Sequence, residues 1–147
     1  MSYLASAFAA LAAVVAFAPS ASVIAVDTKP LRETVIPQFQ QALPNIPGKY
    51  LKVVIVEYPP GAKSDSHFHA PSEFIYAQVL SGSVRSQVEG EPERIYRSGD
   101  HWYERPGAHH EVSENASAVE PAKLLAVFVV DSAETLTVPD RHERAPP

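Results

Sequence analysis

The sequence predicts an all-β domain, a sandwich or barrel of two antiparallel sheets, and three observations carry that reading. From Tyr50 onward, short apolar or alternating runs recur at a spacing of roughly eight to twelve residues. Glycine and proline punctuate the gaps between them. Almost no stretch beyond the N-terminus shows the 3.6-residue period of an amphipathic helix.

Taken in order, the chain opens on "LASAFAALAAVVAFA" (4–18), fifteen residues interrupted only by Ser6. That is long for the apolar region of a secretion signal and short for a membrane span, which needs about 20 residues. The small residues of "PSASVIAV" follow, allowing cleavage after Ser22 or Ala25. Residues 1–22 are therefore expected to be a signal peptide, which implies a secreted or periplasmic protein with no membrane contact once cleaved; an uncleaved anchor is the alternative. No basic residue precedes Lys29, so the amino terminus alone would supply the positive start. Residues 23–49 carry Pro30, Pro37, Pro44 and Pro47 and are expected to form an irregular arm, with at most a helical turn around Phe39–Leu43.

Strands are then expected at "YLKVVIVEY" (50–58), "FIYAQVL" (74–80), "VRSQV" (84–88), "RIYR" (94–97), "HWYE" (101–104), "HEVS" (110–113) and "KLLAVFVV" (123–130). The first and last of these are apolar enough to be central and buried. Residues 50–131 form the domain, and 132–147, polar and proline-rich, are expected to be a mobile tail.

Composition excludes several chemistries. A formal charge of −5 argues against nucleic acid as a partner. The absence of cysteine removes disulfides, thiolate catalysis and sulfur-ligated metals. What remains is the stretch "GAKSDSHFHAPSEF" (61–74). In an extended chain alternate side chains share a face, so His67, His69 and Glu73 have the same parity. Two imidazoles and a carboxylate suit a borderline divalent ion such as iron, manganese, zinc, copper or nickel. A further ligand can come from "SGDHWYERPGAHHEVSEN" (98–115), where only one of His109 and His110 can face inward.

These residues resemble the cupin superfamily of small metal-binding barrels. Gly61, His67, His69 and Glu73 match its first motif in order and spacing, and Gly99, Gly107 and His110 match its second. The resemblance covers roughly Val53 to Val130. It implies a jelly-roll, or double-stranded β-helix, barrel with one divalent metal on His67, His69, His110 and Glu73. Three departures stand out. Gly82 lies two residues too far along, so counting back from it puts Ile75 at the glutamate position. Arg105 replaces a proline, and Glu114 stands where the motif has asparagine. Glu73 is accordingly either a ligand or a general base nearer the barrel mouth, and in the latter case three histidines and water make up the site.

Blander readings apply to the remaining candidates. His109, His101 and His142 are surface or supporting groups, and Tyr76, Gln78, Gln87, Trp102 and Tyr103 are core before they are pocket. "NAS" (115–117) is a glycosylation sequon expected in an accessible loop. The resemblance implies a metal-dependent enzyme for a small-molecule substrate, of dioxygenase, isomerase, decarboxylase or lyase type; a non-catalytic metal- or ligand-binding module is the alternative. Small cupins often pair through sheet edges, so a homodimer is expected. Protein recovered from its native source should begin near Val23 or Val26. N-terminal sequencing checks this, and intact Met1 on a soluble cytosolic protein would refute it.

Overall fold

Strand alternation decides the layering. The computed structural model describes residues 31–140, so the expected leader, the start of the arm, and His142 with the chain end lie outside the described residues. In the strand Ala122–Asp131 every second side chain (Ala122, Leu124, Ala126, Phe128, Val130) is buried, as a half-buried strand requires. Its partner Lys49–Tyr58 buries Val54, Val56 and Tyr58 on the same face.

The strands are β1 (Thr34–Ala42), β2 (Lys49–Tyr58), β3 (His67–His69), β4 (Phe74–Ser81), β5 (Ser83–Val88), β6 (Arg94–Arg97), β7 (His101–Glu104), β8 (His109–Asn115), β9 (Ala122–Asp131) and β10 (Thr137–Pro139). They form two five-stranded sheets, ordered β1-β2-β9-β4-β7 and β10-β3-β8-β5-β6, and all the strand pairs are antiparallel. There is no helix among the described residues. This is the jelly-roll arrangement the sequence implies. β2 and β9 are interior strands, paired from Lys49↔Asp131 to Tyr58↔Ala122. Between the sheets lie Val54, Val56, Ile75, Ala77, Val79, Val84, Trp102 and Phe128.

Three expectations are corrected. The supposed irregular arm contains β1, a nine-residue strand. Its proline is accommodated because β1 is an edge strand paired only with β2, and the register slips between Pro37 and Phe39. A missing N–H costs nothing on the open side of an edge, and a bulge absorbs the mismatch. Pro44 and Pro47 fall in the turn that follows. The expected tail is also ordered in part: β10 pairs with β3, Thr137↔His69 to Pro139↔His67.

The sequon is the third correction. Asn115 ends β8 and is 6% exposed, not in an accessible loop. Its amide donates to the carbonyls of Tyr58 (3.2 Å), Pro59 (3.1 Å) and Glu120 (2.7 Å) and accepts from the Ser117 N–H. Glycosylation would have to break that clamp.

Gly82 joins β4 to β5 with φ +71°, and a methyl group there would overlap the Pro121 carbonyl oxygen. Gly90 has φ +82° but open space around it. Gly90→Ala should therefore cost about 1 kcal/mol for the left-handed backbone alone. Gly82→Ala should cost about 1–3 kcal/mol more for the overlap. Urea denaturation of both variants measures the difference.

Candidate metal centre

Pairing between β3 and β8 brings the histidines together. His67 lies opposite His110 and Phe68 opposite His109, so the first pair shares one face and the second pair the other. His110 turns into the barrel, while His109 stacks on Phe68 outside, ring centroids 4.1 Å apart. His69 is two residues along from His67 and buried. Ligating atoms of His67, His69 and His110 all lie within 4.8 Å of one another.

Each ring is held from behind. His67 donates Nδ1–H to the Asp65 carbonyl (2.7 Å), and His69 donates Nδ1–H to the Leu136 carbonyl (3.1 Å). His110 Nε2 lies 2.8 Å from Ser86 Oγ. Such outer hydrogen bonds fix ring orientation and leave the opposite nitrogen for a ligand.

The carboxylates are placed differently from the sequence reading. The extended segment ends at His69, and a turn follows in which Glu73 N–H donates to the Ala70 carbonyl (2.9 Å). That turn breaks the alternation on which the inward parity of Glu73 relied. Glu73 is fully buried (0% exposed), not at the mouth, with Oε2 accepting from Ala70 N–H (3.0 Å) and lying 3.8 Å from His69 Nδ1. It does not line the central cavity. Glu104, which sequence reasoning passed over, does. It is 3% exposed, with Oε2 3.0 Å from His69 Nε2 and Oε1 3.3 Å from His110 Nδ1. The Trp102 indole donates to Oε1 at 3.1 Å. The inward alternation of Trp102 and Glu104 in "HWYE" was the available signal. The other candidates do not reach the cavity: Trp102 packs in the core against Tyr96, and His101 and Tyr103 are exposed.

Burial and charge set the protonation states. Burial would lower His69, but the hydrogen bond and charge of Glu104, aided by Glu73, raise it to about 9. Burial would raise Glu104, yet His69 and His110 bring it down to about 2. His110 is lowered by burial to about 4, against the pull of Glu104. Burial also lowers His67. Without metal, His69 and Glu104 are thus an imidazolium and a carboxylate.

The histidines form part of the wall of a cavity of about 380 Å³. Val35, Val54, Val56, Ile75, Leu124 and Phe128 line much of the rest. Tyr58, at its polar side, hydrogen-bonds Ser64 (2.9 Å) and Ser113 (2.8 Å).

The sequence profile of the cupin domain matches residues 54–128, which include all three histidines. The chain belongs to the cupin family. Among solved structures, this cupin is similar to the DMSP lyase DddQ of Ruegeria pomeroyi DSS-3 (TM-score 0.53, 26% identity), covering 65% of this chain and 45% of that one. It therefore spans under half the length of the lyase. TT1209 of Thermus thermophilus aligns at TM-score 0.54 and 29% identity, over 67% of this chain and 84% of that one. A conserved double-stranded β-helix protein of Klebsiella pneumoniae aligns at TM-score 0.58 and 20% identity, over 77% and 90% of the two chains, which bears on fold alone. No curated protein sequence matches the chain.

The residues present fit the metal the family implies. His69 Nε2 and Glu104 Oε2 are both buried and lie 3.0 Å apart as an ion pair, with no other hydrogen-bond partner for either atom. Once the Nε2 proton leaves, the two atoms present lone pairs beside two further imidazoles, and a divalent cation can take that proton's place.

For the metal-free protein, His69 stabilises fully below about pH 6.5 and its contribution is lost as pH rises through about 9. Glu104 contributes above its ordinary 4.5, a gain lost only as pH falls through about 2. The contribution of His110 is present above 6.5 and lost as pH falls through about 4. The melting temperature of metal-free protein should thus fall on both the acid and alkaline sides of neutrality. Glu104→Gln should shrink the His69 part of the alkaline fall, leaving the share due to Glu73, read as a difference between the two melting profiles.

Proposed function

We propose that this cupin is a metal-dependent enzyme acting on a small organic molecule, with dioxygenase, isomerase and lyase chemistry the reactions its site suits. One observation carries the reading: three converging imidazoles form the polar wall of a cavity that is otherwise mostly apolar and large enough for a small molecule. A divalent ion on His67, His69 and His110 would supply a Lewis acid.

The chain's own groups then have distinct tasks. The apolar lining excludes water and receives the substrate body. Burial raises the Tyr58 hydroxyl above its ordinary value, so it stays protonated near neutrality and can act as a hydrogen-bond donor within its serine cluster. Among the described residues no lysine or arginine lines the cavity, while Glu33 and Glu104 do. A neutral or cationic substrate suits that balance better than a dianion, which would find no lysine or arginine there and only the metal centre as counter-charge. Among the reaction types, the 26% identity to a DMSP lyase supports the lyase branch. Glu73, behind His69 and away from the cavity, fits a residue that positions His69 rather than a base meeting substrate.

Metal analysis of the purified full chain tests this first, followed by a small-molecule turnover screen. His67→Ala and His110→Ala should each lose stoichiometric metal and all turnover. Glu73→Gln should keep the metal while weakening its affinity by about tenfold, the usual size of an outer-shell loss. Stoichiometric metal in the His67→Ala/His110→Ala double variant would overturn the site. A fully metal-loaded protein that turns over nothing in the screen would favour a binding module instead.

A further inference from the structure

We infer that Glu104 of β7 supplies the carboxylate of this metal centre, in the place the cupin motif gives to a glutamate of β4. This assignment rests on the metal-dependent reading above and extends it to a residue outside the motif.

Strand register puts Glu104 at the right level. Counting back from Gly82 assigns Ile75 to the motif's glutamate position, and an isoleucine cannot ligate. Ile75 and Glu104 are directly paired across β4 and β7. Antiparallel partners project from the same face, so Glu104 enters the barrel at the level of Ile75, one strand over. The carboxylate is absent from β4 at this level and present on its neighbour.

The two carboxylates also occupy different sides of His69. Glu73 approaches Nδ1, at 3.8 Å, and that nitrogen already donates to the Leu136 carbonyl. Glu104 approaches Nε2, at 3.0 Å, the nitrogen left over. A ligand bound at Nε2 lies beside Glu104, with the imidazole ring between it and Glu73. Glu104 also reaches Nδ1 of His110, whose Nε2 is occupied by Ser86. One carboxylate therefore lies within 3.3 Å of a ring nitrogen on each of two histidines.

Their oxygens are held differently too. Trp102 donates to Oε1 of Glu104 and fixes the group, while buried Oε2 meets only His69. Glu73 has an unpartnered oxygen, Oε1, but off the cavity. Among the described residues, Glu104 and not Glu73 pairs an oxygen with an imidazole nitrogen at the cavity wall, where neither atom has another partner. A divalent ion there would accept lone pairs from both at once.

The test is a crystal structure of the full chain loaded with zinc, paired with cobalt titrations of variants followed by the visible spectrum. A Glu104 oxygen should lie about 2.0–2.2 Å from the ion. Glu104→Gln should weaken cobalt affinity by at least about 100-fold and alter the bound-cobalt spectrum, whereas Glu73→Gln should leave the spectrum unchanged. Circular dichroism of each metal-free variant verifies folding, and the wild-type crystal decides the matter if Glu104→Gln does not fold. Zinc held by the histidines with Glu104 more than about 3 Å away overturns this inference and leaves the metal-enzyme reading standing. A wild-type chain that binds neither zinc nor cobalt overturns both.

Discussion

Burying Glu104 is the constraint on which the centre of this barrel depends. A carboxylate removed from water is tolerated only when opposite charge or hydrogen bonds surround it. Here β7 lies in one sheet and β3 and β8 in the other, so the histidines that surround Glu104 come from across the barrel. Its contacts with His69 and His110 form a polar tie between the two sheets, inside a core that otherwise holds them together by apolar packing. The bond from Tyr58 on β2 to Ser113 on β8 is a second such tie, at 2.8 Å. Polar groups buried this way constrain the sheets to one relative position, because a shift would strand them without partners.

What the sequence revealed and what it withheld follow from one distinction. Strand periodicity and motif spacing are local, and the strands with strong alternation, such as Ala122–Asp131, were legible to within a residue. The convergence of His67, His69 and His110 followed from spacing within two motifs. Partnership across sheets is not local. Nothing near Glu104 in the chain announces that Ile75 pairs with it, and nothing in "NAS" says that Asn115 closes β8 onto three carbonyls. β1 was missed for a related reason: proline forbids an interior strand, and only the sheet order shows that β1 is an edge. The turn at Pro71–Ser72 had a visible proline, but its effect on the parity of Glu73 emerges only once the chain is folded.

The family likeness and the departures from it are thus compatible. The barrel holds its histidines on one pair of adjacent strands, and that pairing is what the shared motifs encode. A carboxylate can reach the same volume from either of two neighbouring strands, because strands in a sheet are about 4.8 Å apart and a glutamate side chain spans that distance. Constancy of the site in space therefore does not demand constancy of the residue in sequence.

The short strand β10 gives the barrel a property of a different kind. It pairs over three residues, on one side only, against β3, and Thr135, Leu136 and Thr137 form part of the cavity wall. The Leu136 carbonyl is also the acceptor that orients His69. A short pairing at a sheet edge makes a segment cheaper to detach than the long central strands. Seating of the C-terminal segment and occupancy of the centre are then linked equilibria. Whatever fills the site and fixes His69 tightens the segment's hold, and by reciprocity whatever pins the segment strengthens binding at the site by the same factor.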